Sequence, residues 1–224
     1  MKFKAALFDM DDTLIDRRSA YDQVYRVLYD KHDVINQSTN WDEALDYFWT
    51  LSPDNATDPK EAFMAIQNKW PGVTGDPDSH YNFYFEQMVR FMQVLPGAMD
   101  FVDWMNDSEI NWGIVTNGDQ FQHQKAEATG LDKKAPFVLA SKLFGVNKPG
   151  AEVFHEAVRL LDDAEVETSD ILFVGDNPYT DIIGAHGVGM KTAWIRMGRE
   201  QYPDDAPKPD YIVDHVSELK PLLG

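Results

Sequence analysis

The sequence contains no cysteine, which excludes disulfide bonds, thiolate metal sites and cysteine nucleophiles. The absence of disulfides fits a reducing compartment. No apolar run approaches the roughly 20 residues that a membrane-spanning helix needs. The apolar segment before Asp9 is too short for a signal peptide and lacks a small-residue cleavage site. We therefore expect a cytoplasmic protein that does not associate with membranes.

Basic residues are scarce, because 20 lysines and arginines stand against 38 acidic residues and give a formal charge of -18. A field of this sign repels nucleic acid, so we expect no nucleic-acid partner. It also repels small anionic substrates, and an enzyme for phosphates would then need a local positive centre such as a divalent cation. Solubility, or adaptation to a salty cytoplasm, remains the alternative explanation for the overall charge.

Two common ligand-binding patterns are missing. The six histidines show no His-x-x-x-His spacing, which argues against a zinc site. The glycines in residues 184–189 do not form Gly-x-Gly-x-x-Gly after a strand, which argues against a dinucleotide site.

Residues 18–95 are rich in aromatic residues and lack runs of β-branched residues, and their apolar positions recur at helical spacing. We predict that most aromatic residues here form the core of a helical segment and that one or two of them contact a substrate. The aromatic residues in question are Trp41, Phe48, Trp49, Phe63, Trp70, Tyr81, Tyr84 and Phe85.

From residue 98 onward, predicted helices and strands alternate. Strands are predicted at residues 3–8, 111–116, 136–140, 171–174, 190–195 and 211–213. Helices are predicted at residues 98–107, 119–129, 151–161 and 180–187, with a closing helix after the last strand. Apolar strands alternating with helices indicate a parallel sheet that is covered on both faces. The sequence therefore predicts an α/β fold, with a doubly wound, Rossmann-like core over residues 1–16 and 96–224 and a small all-helical cap domain over residues 17–95.

Polar residues cluster at four places. The first, second and fourth clusters directly follow predicted strands, whereas the third follows a loop. The clusters are Asp9-Met10-Asp11-Asp12-Thr13, Thr116-Asn117-Gly118, Asn147-Lys148-Pro149 and Gly175-Asp176-Asn177-Pro178-Tyr179-Thr180-Asp181. Taken singly, each has a simpler interpretation as a turn, a helix cap or a solvated lysine. Ligands bind beyond the carboxyl ends of strands in open α/β sheets. The joint occurrence of the clusters at one sheet edge therefore favours a common site.

The four clusters resemble the motifs of the haloacid dehalogenase superfamily, which is dominated by phosphatases. The similar segments are Asp9-Met10-Asp11-Asp12-Thr13 for Asp-x-Asp-x-Thr, Thr116 for the second motif, Lys148 before Pro149 for the third, and Gly175-Asp176 with Asp181 for the fourth. The resemblance runs from residue 3 to about residue 195 in the family's order. Residues 18–95 resemble only a helical cap inserted after the first motif, and the hinge of this cap is expected within residues 14–20.

The resemblance implies a magnesium site and an acid–base group. A carboxylate and a phosphate repel one another, so a cation is needed between them, and oxygen-only ligands favour Mg²⁺. By resemblance, Asp9 is both nucleophile and metal ligand, and Asp176 is the other direct carboxylate ligand. Asp11 is expected to bind the metal through its backbone carbonyl and to act as general acid and base through its side chain. Asp181 is expected to act on the metal through a water molecule or to orient neighbouring groups.

The resemblance also implies a phosphate site. Thr116 and the amide of Asn117 are expected to bind phosphoryl oxygens, and Lys148 is expected to neutralise charge on the nucleophile and the phosphate. The dehalogenases of the family lack an acid at the place of Asp11, so its presence favours phosphoester chemistry.

We therefore expect a Mg²⁺-dependent phosphatase for a small phosphorylated metabolite that works through an aspartyl-phosphate intermediate. The segment Thr116-Asn117-Gly118 resembles the corresponding segment of family members that act on nucleotides or flavin mononucleotide. Sugar phosphates remain alternative substrates. A phosphomutase and a non-catalytic phosphate-binding relative are the alternatives. The protein is expected to be a monomer or a homodimer.

Overall fold

The computed structural model describes residues 3–52 and 57–224. Residues 1–2 and 53–56, which the predicted domains include, lie outside the described residues. The chain divides into two compact units. Unit 1 contains the residues up to Asp16 together with Gln93–Gly224, and unit 2 is Arg17–Met92. No helix in the described part of the chain combines the length and the apolar character needed to cross a bilayer.

The strands of unit 1 are β1 (Ala5–Phe8), β2 (Asn111–Thr116), β3 (Val138–Ala140), β4 (Ile171–Gly175), β5 (Lys191–Ile195) and β6 (Tyr211–Val213). The helices of the described chain are α1 (Arg17–Lys31), α2 (Asp33–Asn36), α3 (Trp41–Leu51), α4 (Pro59–Lys69), α5 (Pro77–Phe91), α6 (Ala98–Asp107), α7 (Gln120–Thr129), α8 (Ser141–Phe144), α9 (Ala151–Leu160), α10 (Ile183–Gly187) and α11 (Lys220–Leu223).

The six strands form one sheet in the order β3-β2-β1-β4-β5-β6, and every neighbouring pair is parallel. This confirms the predicted α/β class and the doubly wound sheet. Observed strand bounds lie within two residues of the predicted ones. The helix predicted at residues 180–187 differs at its start. Its first three residues belong to a π-helical turn at Pro178–Ile182, and α10 itself begins at Ile183.

Aromatic packing shows that both faces of the sheet are covered. On one face, the ring of Phe8 lies 5.8 Å from Phe101 of α6 and 6.0 Å from Trp112. On the other face, Phe154 of α9 lies 5.1 Å from Phe173 of β4. The strands are buried on both sides, which explains their near-continuous apolar sequence.

The register of β1 brings the ends of three strands to one level. Phe8, the last residue of β1, is paired with Ile114 of β2 and with Val174 of β4. The strand order also reverses direction at β1, because β2 and β3 follow on one side and β4 to β6 on the other. Such a switch point leaves a crevice at the carboxyl edge of the sheet, where ligands bind in this class of fold.

Unit 2 contains α1 to α5 and has its own aromatic core. Tyr25 stacks on Phe48 with ring centroids 4.6 Å apart, and the hydroxyl of Tyr21 donates to the carbonyl of Phe48 at 2.6 Å. Phe63 and Trp70 are buried as predicted. Tyr81 is 37% exposed and does not belong to this core. Helix α5 turns the face that carries His80, Gln87 and Met88 inward instead.

The chain returns from unit 2 to unit 1 at residue 93, three residues before the predicted start of the second core segment at residue 96. The backbone amide of Leu95 donates to the carbonyl of Leu14 at 2.9 Å, and Val94 forms a β-bridge with Ile15. These bonds tie residues 93–95 to unit 1. That unit 2 acts as a cap stays a prediction.

Candidate active site

Asp9 directly follows β1, and its side chain meets a buried lysine. The Nζ atom of Lys148 lies 2.6 Å from Oδ1 of Asp9 and 2.8 Å from Oδ1 of Asp181. It also donates to the carbonyl of Val115 at 2.8 Å. Lys148 is only 3% exposed, so its charge is balanced by these carboxylates rather than by water.

The loop that carries Lys148 is held by the side chain of Asn117. The Oδ1 atom of Asn117 accepts a bond from the backbone amide of Lys148 at 2.8 Å, and its Nδ2 donates to the Lys148 carbonyl at 3.0 Å. The peptide bond between Lys148 and Pro149 is cis. The end of β2 and the lysine loop are thereby joined, although 31 residues separate them.

Three carboxylates gather beside Lys148. Asp9, Asp176 and Asp181 each offer an oxygen, and these three oxygens lie within 4.8 Å of one another. All three donors are hard carboxylate oxygens. This donor set fits Mg²⁺, which binds to a few carboxylates and keeps several waters. The side chains that could hold a metal are therefore brought together.

Asp176 is anchored from β5 and from the loop after it. Its carbonyl accepts bonds from Trp194 Nε1 at 2.8 Å and from Arg199 Nη2 at 2.7 Å. The same Arg199 nitrogen lies 3.2 Å from Oδ2 of Asp176. Arg199 thus orients both the backbone and the carboxylate of this residue.

Asp181 fits against β4 because Gly175 has no side chain. A Cβ atom at Gly175 would lie 2.3 Å from Oδ2 of Asp181. The same oxygen accepts the backbone amide of Asn177 at 3.0 Å. The N-cap of the following turn is Asn177, whose side chain accepts the amides of Tyr179 and Thr180. Asn177 therefore caps this turn, and the Asp181 carboxylate remains directed at Lys148.

Asp11 and Thr116 are joined through α7. Lys125 Nζ lies 2.7 Å and 2.6 Å from the two carboxylate oxygens of Asp11. Gln122 Nε2 lies 3.0 Å from Oδ2 of Asp11 and 2.6 Å from Oγ1 of Thr116. The structure thus brings candidate residues from all four motifs together at the carboxyl edge of the sheet.

The crowding of carboxylates shifts their proton affinities. Burial raises the pKa of Asp9 well above its usual value, with Lys148 opposing the shift and Asp181 adding to it. Burial, with Asp181 and Asp12 nearby, raises the pKa of Asp176 to about 7. Burial lowers the pKa of Lys148, but the two facing carboxylates outweigh burial and hold this pKa above its usual value. The cluster therefore favours a bound cation or a bound proton.

Sequence reasoning missed Gln122, Lys125, Arg199 and Ser141. The hydroxyl of Ser141 donates to Oδ1 of Asn147 at 2.6 Å. The same hydroxyl oxygen accepts a hydrogen bond from the backbone amide of Gly118 at 3.3 Å. Gln122 and Lys125 lie three positions apart on the helix that follows the second motif. Two polar residues on one face of that helix were a signal that they share a location.

Comparison with known proteins assigns the family. A family model for haloacid dehalogenase-like hydrolases matches residues 3–189. Glyceraldehyde 3-phosphate phosphatase of Pyrococcus furiosus is 25% identical over 233 residues, covering 99% of this chain and 93% of that protein. Human N-acylneuraminate-9-phosphatase is 27% identical over 243 residues, covering 99% and 94%. Pyrimidine 5'-nucleotidase YjjG of Escherichia coli is 28% identical over 149 residues, covering 66% and 64%.

Solved structures share the fold. YfnB of Bacillus subtilis, solved bound to magnesium, matches with a TM-score of 0.74 and 23% identity over 100% of this chain and 99% of that one. L-2-haloacid dehalogenase of Xanthobacter autotrophicus matches with a TM-score of 0.70 and 21% identity, covering 98% of each chain. The family model spans most of the chain, and its motif residues meet at one sheet edge. This chain is therefore an enzyme of the haloacid dehalogenase-like hydrolase family.

Proposed function

We propose that the enzyme is a Mg²⁺-dependent phosphatase that hydrolyses phosphomonoesters of a small metabolite through an aspartyl-phosphate intermediate. The observation that carries the proposal is the position of Lys148 Nζ between Asp9 and Asp181 at 2.6 and 2.8 Å, beside the carboxylate of Asp176. Reaction between a carboxylate and a phosphate requires that their charges be neutralised at one point. This cluster provides a buried cationic group and oxygen donors for a second cation.

Asp9 is the proposed nucleophile. One carboxylate oxygen attacks phosphorus, the bond from phosphorus to the leaving oxygen breaks, and the phosphoryl group remains on Asp9. Asp11 is the proposed general acid that protonates the leaving oxygen. It then acts as general base, taking a proton from the water that breaks the aspartyl-phosphate. Inorganic phosphate is the product.

Thr116, Asn117 and Lys148 form the proposed phosphate site. The hydroxyl of Thr116 and the backbone amide of Asn117 donate to phosphoryl oxygens, while Lys148 neutralises negative charge on Asp9 and on the phosphate. The side chain of Asn117 supports this role indirectly, because it positions the backbone of Lys148.

Asp9, Asp176 and the backbone carbonyl of Asp11 are the proposed metal ligands. Asp181, which the family resemblance implies acts through water, lies close enough to Asp9 and Asp176 to share the ion with them. A bound Mg²⁺ would supply positive charge between the nucleophile and the phosphate.

The proposed substrates are small phosphorylated metabolites, with nucleotides, flavin mononucleotide and sugar phosphates as the classes to test. The relatives named above support the coarse class, since they are phosphatases of a triose phosphate, a sialic acid phosphate and pyrimidine nucleotides. A phosphomutase remains the alternative, because it would use the same four motifs and return the phosphoryl group to an intermediate. A non-catalytic relative is disfavoured, because Asp9, Asp11, Lys148 and Asp176 are all present.

Replacing Asp9 by Asn tests the nucleophile. We expect the Asp9→Asn variant to release no phosphate from p-nitrophenyl phosphate, since the amide cannot form the aspartyl-phosphate. EDTA should stop the wild-type reaction and added Mg²⁺ should restore it. Asp107→Asn, an exposed matched control, should keep full activity.

Three results would contradict the proposal. The first is near-wild-type turnover by Asp9→Asn with unchanged circular dichroism. The second is a reaction that EDTA does not affect. The third is transfer of the phosphoryl group to a second sugar phosphate without release of inorganic phosphate, which would favour the mutase.

A further inference from the structure

Both carboxylate oxygens of Asp11 are bonded to side chains from α7. Lys125 Nζ lies 2.7 Å from Oδ1 and 2.6 Å from Oδ2, and Gln122 Nε2 lies 3.0 Å from Oδ2. These partners are 114 and 111 positions away in the sequence. The carboxylate therefore has its place set by a helix that carries none of the four motifs.

Gln122 also contacts the proposed phosphate site. Its Nε2 lies 2.6 Å from the hydroxyl oxygen of Thr116 and 2.8 Å from the carbonyl oxygen of Asn117. One amide group thus touches the proposed general acid and the proposed phosphate-binding hydroxyl. The side chain of Gln122 therefore bridges these two groups.

The side chains of Gln122 and Lys125 are both buried, which is unusual for their residue types. Gln122 is 3% exposed and Lys125 is 4% exposed, although long polar side chains on helices normally extend into water. Burying a lysine costs free energy unless it is paired, and Asp11 supplies the pair. Gly118 makes room for Gln122, because a Cβ atom there would lie 2.7 Å from Cγ of Gln122.

We propose that Gln122 and Lys125 are positioning residues that hold Asp11 at the place where it protonates the leaving-group oxygen. The inference rests on the phosphatase function proposed above. Proton transfer requires the carboxyl oxygen within about 2.6–3.2 Å of the leaving oxygen. A misplacement of about 1 Å lowers such a rate by about 100-fold. Loss of either anchor removes one of the bonds that hold the Asp11 carboxylate in this orientation.

The alternative is a purely structural role, in which Gln122 and Lys125 dock α7 onto the sheet. The dependence of the rate on the leaving group separates the two roles. Nitrophenolate leaves readily without a proton, whereas phenolate depends more strongly on protonation by the enzyme. A purely structural defect lowers both rates alike, but a misplaced acid lowers the phenyl phosphate rate more.

The experiment measures kcat/KM for p-nitrophenyl phosphate and for phenyl phosphate, because kcat/KM reports the first chemical step. In Lys125→Met and Gln122→Leu, we expect the loss with phenyl phosphate to exceed the loss with p-nitrophenyl phosphate by about tenfold. Exposed residues provide the matched controls Gln124→Leu and Lys133→Met, which should change neither value.

A double variant tests whether the effect acts through Asp11. In an Asp11→Asn background, Lys125→Met should add no further dependence on the leaving group. Thermal unfolding is followed for each variant. If Lys125→Met fails to fold, Gln122→Leu carries the test because it removes no charge.

Equal losses with both substrates, or no loss with either, would overturn the positioning role while leaving the proposed function intact. A wild-type enzyme that releases phosphate from neither ester would instead contradict the proposed function. The two failures are therefore distinguishable in one set of measurements.

Discussion

At the scale of single residues, Lys148 and Asp176 show how burial sets the chemistry of the site. The ammonium group of Lys148 stays charged in a buried position because Asp9 and Asp181 lie within 2.8 Å of it. Asp176 has a weaker counter-charge in Arg199, whose Nη2 lies 3.2 Å away, and burial raises its pKa to about 7. The two residues therefore respond differently to pH.

Asp176 is expected to make the metal-free protein less stable as pH rises. Its pKa in the folded state lies above the usual value of 3.8, so the folded state holds the proton more tightly. The free energy of unfolding contributed by this group therefore falls as pH rises from about 4 to about 7. Mg²⁺ should reverse the loss, because it binds the ionised form.

Thermal unfolding at pH 5 and pH 8, with EDTA or with Mg²⁺, measures this effect. Asp176→Asn should unfold at a higher temperature than wild type at pH 8 in EDTA and should gain nothing from Mg²⁺. Asp132→Asn, an exposed matched control, should behave as wild type. A variant that is still stabilised by Mg²⁺ as strongly as wild type would remove Asp176 from the metal site.

Gly175→Ala is expected to displace Asp181, since the new Cβ atom would lie 2.3 Å from its Oδ2. We expect destabilisation by about 1–3 kcal/mol and a large loss of turnover with p-nitrophenyl phosphate. Gly187→Ala is the matched control, because nothing lies within 4 Å of a Cβ atom there. Wild-type stability and activity in Gly175→Ala would show that the close approach of Asp181 has no functional consequence.

At the scale of elements, the ends of β1, β2 and β4 carry the site, and their positions were predictable. Buried parallel strands leave a strong local signal in continuous apolar residues, and polar residues directly after them mark their ends. The motif residues Asp9, Thr116 and Asp176 follow from that local pattern. The roles assigned to them remain proposals that the variants above test.

Helix α7 was predicted as a helix, but its contacts were not. The residues that bind Asp11 are polar, and a polar helix shows little apolar periodicity with which to orient it. Asp11, the partner that Gln122 and Lys125 share, lies more than 100 positions away from both in the sequence. The same limit applies to α5, where Tyr81 belongs to the group of aromatic residues expected mostly in the core but is exposed, and His80 is buried instead.

Burial of His80 on α5 should make the stability of unit 2 depend on pH. It is 5% exposed and stacks on Phe63 at 4.2 Å. Burial, with Lys31 and His32 nearby, lowers its pKa to about 4. Since the unfolded chain binds a proton at about pH 6.5, the free energy of unfolding should fall as pH drops from about 6.5 to about 4, by up to about 3 kcal/mol.

Urea unfolding between pH 4 and pH 7 measures how the free energy of unfolding changes with pH. His80→Phe keeps a ring on Phe63 but cannot bind a proton, so its stability should decline less than that of wild type over this range. His155→Phe makes the same change at an exposed position and should keep the wild-type slope. Parallel curves for His80→Phe and wild type would show that His80 does not titrate in the folded protein.

At the scale of the whole molecule, the chain leaves unit 1 and returns to it through two adjacent segments. The amide of Asp16 donates to the carbonyl of Gln93 at 2.8 Å, and Leu95 is bonded to Leu14. Both segments belong to unit 1. Excision of Arg17–Met92, with Asp16 joined to Gln93 through a short Gly-Ser linker, should therefore leave a sheet that folds by itself.

Circular dichroism and thermal unfolding of the shortened protein check this expectation. We expect one cooperative transition that Mg²⁺ moves to higher temperature, since Asp9, Asp176 and Asp181 all lie in unit 1. Asp9→Asn in the shortened protein should lose the response to Mg²⁺. A shortened protein without a cooperative transition would show that the sheet depends on unit 2.

The α/β class, the strand ends and the motif residues that directly follow strands can be read from the amino-acid sequence, because apolar runs and the polar residues after them are local patterns. Three contacts could be seen only in the folded protein: Asn117 holds the Lys148 loop, Arg199 anchors Asp176, and two side chains of α7 bind Asp11. Each of these contacts joins residues distant in the chain, and such pairs become neighbours only after the strands have taken their order in the sheet.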